Sequence, residues 1–249
     1  VSGFYYLFKE RRIKAMVIAL SLLVASYSIL TYERNRAWRD EFTLWNDTAH
    51  KSPGKARPYT SRGVAYNVKG SYDLAISDFS RAIELDPNDA KAYVGRSGAY
   101  GPRGDLDQVI SDCNKSIEIN PDLVDAYYNR GLAYQEMGKI DLAIADYNKT
   151  IEIDPAHPRA YINNNIVSKA YINRGIAYVI KRDYNQAIFD YTKVIESDSN
   201  AGEAYKNRAV AYYFRKEYDK AWDDVNMAEK LGYRSHPGFL EELRKASGR

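Results

Sequence analysis

Residues 124–157 read VDAYYNRGLAYQEMGKIDLAIADYNKTIEIDPAH. Ala126-Tyr127 recurs seven residues later as Ala133-Tyr134. Seven residues are about two helical turns, so both pairs share one helix face. Gly131, between them, admits a partner helix at close range. Gly138 ends this first helix, and a second amphipathic run covers residues 140–153 until Pro155 stops it. The stretch predicts two antiparallel helices joined by a tight turn.

Neighbouring sequence repeats this pattern in 34-residue blocks that start at Ala56, Ala90, Val124, Ser168 and Gly202. The other blocks open ARPYTSRGVAY, AKAYVGRSGAY, SKAYINRGIAY and GEAYKNRAVAY. One hairpin cannot bury its apolar faces alone, so the blocks must stack into a solenoid. These residues resemble the tetratricopeptide repeat (TPR) family, a 34-residue helix–turn–helix with an aromatic, a small residue, Ala-Tyr, Gly, Ala and Pro at set places. The resemblance implies an all-α fold: a right-handed TPR solenoid of antiparallel helix hairpins. It also implies a groove, lined by one face of the first helices, that holds a partner.

Departures from the pattern carry expectations. The second block has Ser97 in place of the first-helix Gly and Gly101-Pro102 where that helix should end, which predicts a shortened helix. The fourth block has Arg182, and the fifth Lys216, in place of the turn Gly. Ten residues, 158–167, interrupt the period, and PRAYINN is nearly repeated as SKAYINR. The spacing of Arg174 and Asp190 predicts that the second copy forms the hairpin. Trp38, Phe42 and Trp45 fall one period before Tyr72, Ile76 and Phe79, so residues 36–52 read as the second helix of an additional half-repeat.

Residues 15–32, AMVIALSLLVASYSILTY, hold no charge. As a helix they are about 27 Å long, close to the roughly 30 Å of a bilayer core. They are read as one transmembrane helix preceding the solenoid. Lys9, Arg11, Arg12 and Lys14 before it face Arg34, Arg36 and Arg39 after it; the denser cluster places the leading side in the cytoplasm and the repeats outside it. The expected location is a membrane, the bacterial inner membrane. The junction RNRAWRDEFTLWNDTAHKSPGKAR resembles that of bacterial TMTC-like and mannosyltransferase-like multi-spanning proteins with a C-terminal TPR tail. That resemblance implies further spans upstream.

The resulting layout is a membrane-proximal basic segment at 1–14 (or the end of an earlier span), the transmembrane helix at 15–32, and a junction with half-repeat at 33–55. Five repeats follow at 56–89, 90–123, 124–157, 168–201 and 202–235. The insert at 158–167 separates the third from the fourth, and a capping helix occupies 236–249.

The 249 residues carry a formal net charge of +3 and 45% hydrophobic residues. The charge is too small and too dispersed for a nucleic-acid groove, and no nucleic-acid partner is expected. There is no nucleotide-binding glycine loop, HExxH or nucleophile elbow, so no catalytic residue, cofactor or metal is assigned and the chain is not read as an enzyme. His50, His157 and His236 fall in polar connections without ligand spacing. Cys113 takes the slot held by Phe79, Tyr147, Tyr191 and Val225 and reads as a small core residue. Asn46-Asp47-Thr48, Asn114-Lys115-Ser116 and Asn148-Lys149-Thr150 match a glycosylation pattern, which repeat ancestry explains more simply.

Arg62, Arg96, Arg130, Arg174 and Arg208 each precede an Asp by 16 residues: Asp78, Asp112, Asp146, Asp190 and Asp224. The spacing predicts interhelical ion pairs, since a planar guanidinium holds a carboxylate through two hydrogen bonds. The partner-binding groove is projected onto Tyr128, Asn129, Leu132, Ile172, Asn173, Ile176, Val179, Lys206, Asn207, Val210 and Tyr213. Its grip is expected over the fourth and fifth repeats, with Asn173 and Asn207 bonding both edges of a peptide amide. Gly95, Gly98 and Gly101 leave little side chain in the second. The leading function is a membrane-anchored scaffold that binds a partner protein or peptide. The alternatives are the accessory tail of a membrane glycosyltransferase and self-association through solenoid ends.

Overall fold

The computed structural model describes residues 40–153 and 166–249, residues 20–32, and singly residues 16, 18 and 35. The described residues are helices joined by short turns. They divide into two compact units, residues 1–85 and 86–249.

In the first unit, residues 20–32 are helical and every one is exposed. Among the described residues no helix is long and apolar enough to cross a membrane; residues 15, 17 and 19 of the expected span lie outside them. The half-repeat forms α1 (Glu41–Lys51). Its start is fixed by Asp40, whose carboxylate accepts from the Thr43 N–H at 2.9 Å while the Thr43 hydroxyl faces the Asp40 N–H. This reciprocal cap satisfies two of the donors orphaned at a helix start. Residues 36–39, expected to belong to the same helix, lie outside the described residues. Next come α2 (Ala56–Val68) and α3 (Tyr72–Leu85). Phe42 of α1 meets Tyr66 of α2 edge-on at 5.1 Å, and Phe79 of α3 is fully buried.

The second unit holds α4 (Ala90–Tyr100), α5 (Leu106–Ile119), α6 (Val124–Glu136), α7 (Ile140–Ile153), α8 (Ile166–Ile180), α9 (Tyr184–Ser197), α10 (Gly202–Phe214), α11 (Tyr218–Lys230) and α12 (Pro237–Ser247). The helices pair as hairpins α4/α5, α6/α7, α8/α9 and α10/α11. Each second helix packs on the next first helix, and the first helices α4, α6, α8 and α10 also touch in series. The core is continuous in small pieces: Val109, Cys113 and Ala133, then Ala143, Tyr147 and Ala170, then Ala187, Tyr191 and Ala204. In the last hairpin Leu243 of α12 seals Ala209, Ala221 and Val225, which places the capping helix where repeat arrays need one.

The repeat departures have structural counterparts. Helix α4 stops after 11 residues, and Gly101–Arg103 form a 3-10 turn. The first-helix turns share one hydrogen bond, seen as Lys139 N–H to Tyr134 C=O at 2.8 Å and Asp183 N–H to Tyr178 C=O at 2.9 Å. This geometry needs a left-handed residue. Arg182 and Lys216 supply it at φ 62° and 61°, a conformation that is strained for a residue with a Cβ. The second copy of the duplicated segment forms α8, which begins two residues ahead of the block boundary at Ser168. Of the insert, residues 158–165 lie outside the described residues, as do Tyr161 and His157.

Candidate partner-binding face

The five arginines occupy one position on successive first helices. In each repeat the guanidinium grips the second-helix Asp through two bonds: Arg62 Nε and Nη2 to Asp78 at 2.7 Å each, Arg130 to Asp146 at 2.8 and 2.7 Å, and Arg208 to Asp224 at 2.8 Å each. Arg96–Asp112 and Arg174–Asp190 share this geometry. The carboxylates are buried and the arginines nearly so. Each guanidinium also lies over the Tyr three residues before it, 5.6 Å from Tyr59 and 5.2 Å from Tyr171, a cation–π contact. Hydrogen bonding to Asp146 holds Arg130 above its ordinary pKa.

The sequence reading missed a third arm. Arg62 Nη1 donates to Asn46 of α1, Arg130 to Asn114 of α5, Arg174 to Asn148 of α7, and Arg208 to the Thr192 hydroxyl of α9, at 2.6–3.0 Å. Each of these arginines therefore joins its own hairpin to the preceding one. The three apparent glycosylation triplets are this device seen from the other side. Their Asn carbonyls are occupied by Arg, Ser116 is buried with its hydroxyl donating to the Ala90 carbonyl, and Thr150 is buried with its hydroxyl donating to the Asp146 carbonyl.

Interior volume is matched across each hairpin. A Cβ on Gly63, Gly131 or Gly175 would come within 2.9, 2.8 and 2.6 Å of the Phe79, Tyr147 and Tyr191 rings. Where the first helix has Ser97 the facing slot holds Cys113, and where it has Ala209 the slot holds Val225. Cys113 is fully buried, and burial pushes its thiol up to about 12. Such a thiol is inert packing rather than a nucleophile. His50 Nδ1 sits 2.7 Å from the Asn46 carbonyl, and His236 caps α12. Among the described residues no cluster of His, Cys, Asp or Glu could hold a metal ion.

The projected groove residues lie on α6, α8 and α10. Several are engaged internally. Ile172 and Val179 pack against the core around Tyr191 and Ala204. Asn173 donates one amide N–H to the Tyr128 hydroxyl at 3.1 Å. Tyr213 stands edge-on to Phe239 of the capping helix at 5.6 Å. Ile176, Lys206, Asn207 and Val210 are half-buried. First helices that touch in series take up part of the face projected as groove.

A cleft of about 620 Å³ is lined by residues of the second and third repeats together with Ile180 of the fourth. Its floor is Ser97, Val109 and Ala133, and its walls are Gly98, Gly101, Pro102 and Leu106 on one side and Asn129, Leu132, Gln135, Glu136 and Ile180 on the other. Asn129 and Leu132 are the projected groove residues that line it. The glycines read as a loss of grip are what opens the space: Gly98 and Gly101 stand where the third repeat has Leu132 and Gln135. Polar groups in the cleft are oriented. The Ser97 hydroxyl donates to the Val94 carbonyl at 2.7 Å, so it accepts from the Asn129 amide at 3.2 Å, leaving the Asn129 carbonyl oxygen for a ligand. Gln135 accepts from the Tyr147 hydroxyl at 3.1 Å.

Comparison with known proteins finds repeat models along the chain. Tetratricopeptide repeat models match residues 56–89, 124–157 and 168–200, and a TPR repeat model matches 99–138. Among solved structures, the chain is similar to PilF of Pseudomonas aeruginosa (TM-score 0.67, 17% identity, 78% of this chain and 84% of that one). It is also similar to YrrB, described as a TPR protein with an unusual peptide-binding site (TM-score 0.59, 18% identity, 75% and 91%), and to MamA (TM-score 0.59, 22% identity, 71% and 91%). At these identities the likeness is one of fold. Among curated proteins, a stretch of 67 residues is 28% identical to protein O-mannosyl-transferase Tmtc3 of Drosophila melanogaster; it covers 27% of this chain and 7% of that protein. With its hairpins, their series packing and the matched models, the chain belongs to the tetratricopeptide repeat family.

Proposed function

We propose that this chain is a membrane-tethered scaffold that holds an extended peptide segment of a partner protein in the cleft between its second and third repeats. The observation that carries the reading is the cleft. Its volume falls within the roughly 300–1,000 Å³ of ligand sites, and its lining is mostly apolar with a few oriented polar groups, as such sites are. The apolar side chains supply burial, and the Asn129 carbonyl accepts a backbone N–H. The tether is residues 15–32. Support for it comes from the lack of charge along 15–32 and from residues 20–32, where Leu22, Val24, Ile29 and Leu30 are all more than half exposed. A helix apolar on every side suits lipid rather than water.

The test begins with selection of peptides from a random library on the purified chain. Gly101 lines the cleft, its backbone is right-handed, and a Cβ built there meets nothing within 4 Å. Gly101→Leu therefore narrows the cleft while keeping the helix end. Selected peptides are expected to bind that variant at least tenfold more weakly; equal binding would remove the cleft from consideration. The tether predicts that alkaline carbonate leaves the whole chain in the membrane pellet and releases a version lacking residues 1–35.

A second reading is favoured by the similarity to Tmtc3: the repeats serve as the accessory tail of a larger membrane glycosyltransferase. In that case the cleft receives the segment to be modified, and the chemistry belongs to residues outside this chain.

A further inference from the structure

We infer that the cleft selects peptides in which a bulky apolar side chain adjoins a cation, Lys or Arg; this rests on the peptide-binding reading above. The argument is one of charge. Glu136 is the single charged residue of the lining, and Lys, Arg and His are absent from it. It is exposed and forms no ion pair among the described residues. Of the cations near the lining in sequence, Lys139 faces the Tyr134 ring, Lys181 pairs with Asp141, and Arg103 pairs with Asp105 at 3.0 Å. One Asn129 N–H is bonded to Ser97 and its carbonyl oxygen is left as an acceptor, while Gln135, whose oxygen is bonded to Tyr147, has its N–H groups left as donors. An anion placed beside Glu136 would meet a carboxylate with no Lys, Arg or His in the lining to offset it, whereas an ammonium or guanidinium at the mouth would meet that carboxylate favourably.

The geometry also orders the ligand. Buried Val109 and Ala133 form the deep apolar surface, while exposed Glu136 ends α6 and exposed Ile180 ends α8. An apolar side chain enters first, and the neighbouring cation stays at the rim in partial contact with water. A rim charge of this kind sets preference more than affinity.

The experiment uses three amidated, fluorescein-labelled peptides with Leu and Phe at alternate positions and Lys, Ser or Glu between them, titrated against the full chain in detergent by fluorescence anisotropy. The Lys peptide is expected to bind about threefold to fivefold tighter than the Ser peptide at low salt, the size of an exposed ion pair, and the Glu peptide weakest. Glu136→Gln should level the three, and the preference should fade at 0.5 M salt as screening shortens. A preference that is absent, or that survives Glu136→Gln, overturns the charge assignment while Gly101→Leu still reports on the cleft itself. If Gly101→Leu binds all three as the unaltered chain does, or none binds saturably, the cleft and this selectivity fall together.

Discussion

Replacing Arg174 by Met puts the repeated ion pair to a quantitative test. Asp190 is fully buried, and its two oxygens take bonds of 2.8 and 2.5 Å from Arg174. Methionine keeps much of the apolar stem, so the change removes charge and hydrogen bonds more than packing. The same arginine also loses its bond to Asn148 at 2.6 Å and its place over Tyr171. Breaking one side of a buried pair costs about 3–5 kcal/mol, because the other charge stays buried and uncompensated. The exposed Lys245–Glu241 pair sets the contrast: pairs like it are worth at most about 1 kcal/mol. Burial already raises the Asp190 carboxyl above its ordinary 3.8, and Arg174 opposes that rise. Without Arg174 the carboxyl rises further. A folded pKa above the unfolded one means that the folded variant binds more protons, so its stability is retained below the unfolded value and lost as pH climbs through the folded one. The deficit relative to the unaltered chain is therefore largest at pH 7 and shrinks on acidification toward pH 4.5. Urea titrations followed by circular dichroism at both pH values measure it. Adding Asp190→Leu to Arg174→Met should recover most of the loss, as apolar replacement of a whole buried pair does. A deficit below about 1 kcal/mol at pH 7, or one that grows with acid, would refute the reasoning.

Volume matching predicts a rescue. Tyr147→Cys alone should cost about 3 kcal/mol through the cavity it leaves, and Gly131→Ser alone should destabilise because its Cβ would sit 2.8 Å from the Tyr147 ring. The double variant rebuilds the Ser97–Cys113 pairing, and melts should show a coupling of at least about 1 kcal/mol; simple additivity would defeat the idea. At the fourth turn, Arg182→Gly relieves a left-handed residue at φ 62°. The urea midpoint should rise, by about 0.5–1 kcal/mol in stability after the entropy cost of glycine; a fall would show that the Arg182 side chain matters there.

Much of this was legible because a repeat prints its own controls. The Arg and Asp recur at a constant 16 residues through five blocks, and a constant offset between two helices is a contact. The Asn arm left the same trace. Asn46 precedes Arg62 by 16, and Asn114 precedes Arg130 by 16. The residue type varies, with Thr192 standing where the other bridges have Asn, so the spacing alone does not mark it as a contact. The cleft was not legible for a different reason. A position-by-position reading counts side chains that project into the groove, and glycine counts as nothing gained. Volume is a property of what neighbours fail to fill: Gly98 and Gly101 matter because Leu132, Pro102 and Ile180 stand around them. Likewise Ile172, Val179 and Tyr213 are half-buried, and the sequence alone does not say that they pack against neighbouring helices.

The insert shows which contact sets the stacking. Ten residues separate the third and fourth blocks beyond the normal period, so Asn148 precedes Arg174 by 26 residues rather than 16. Even so, Arg174 reaches Asn148 at 2.6 Å, the distance of Arg130 to Asn114 across an uninterrupted boundary. Helix α8 packs on α7 as α6 packs on α5. Had linker length governed the register, ten residues, about 2.8 turns, would have rotated the Tyr face of α8 by roughly 80°. Instead Ala170 packs with Tyr147 as Ala204 packs with Tyr191 across the uninterrupted boundary. The register therefore follows from side chains that bridge three helices. Ile180, the α8 contribution to the cleft, is placed by the same bridge: the Arg174 network fixes α8, and α8 completes the wall against which Leu132 and Glu136 stand.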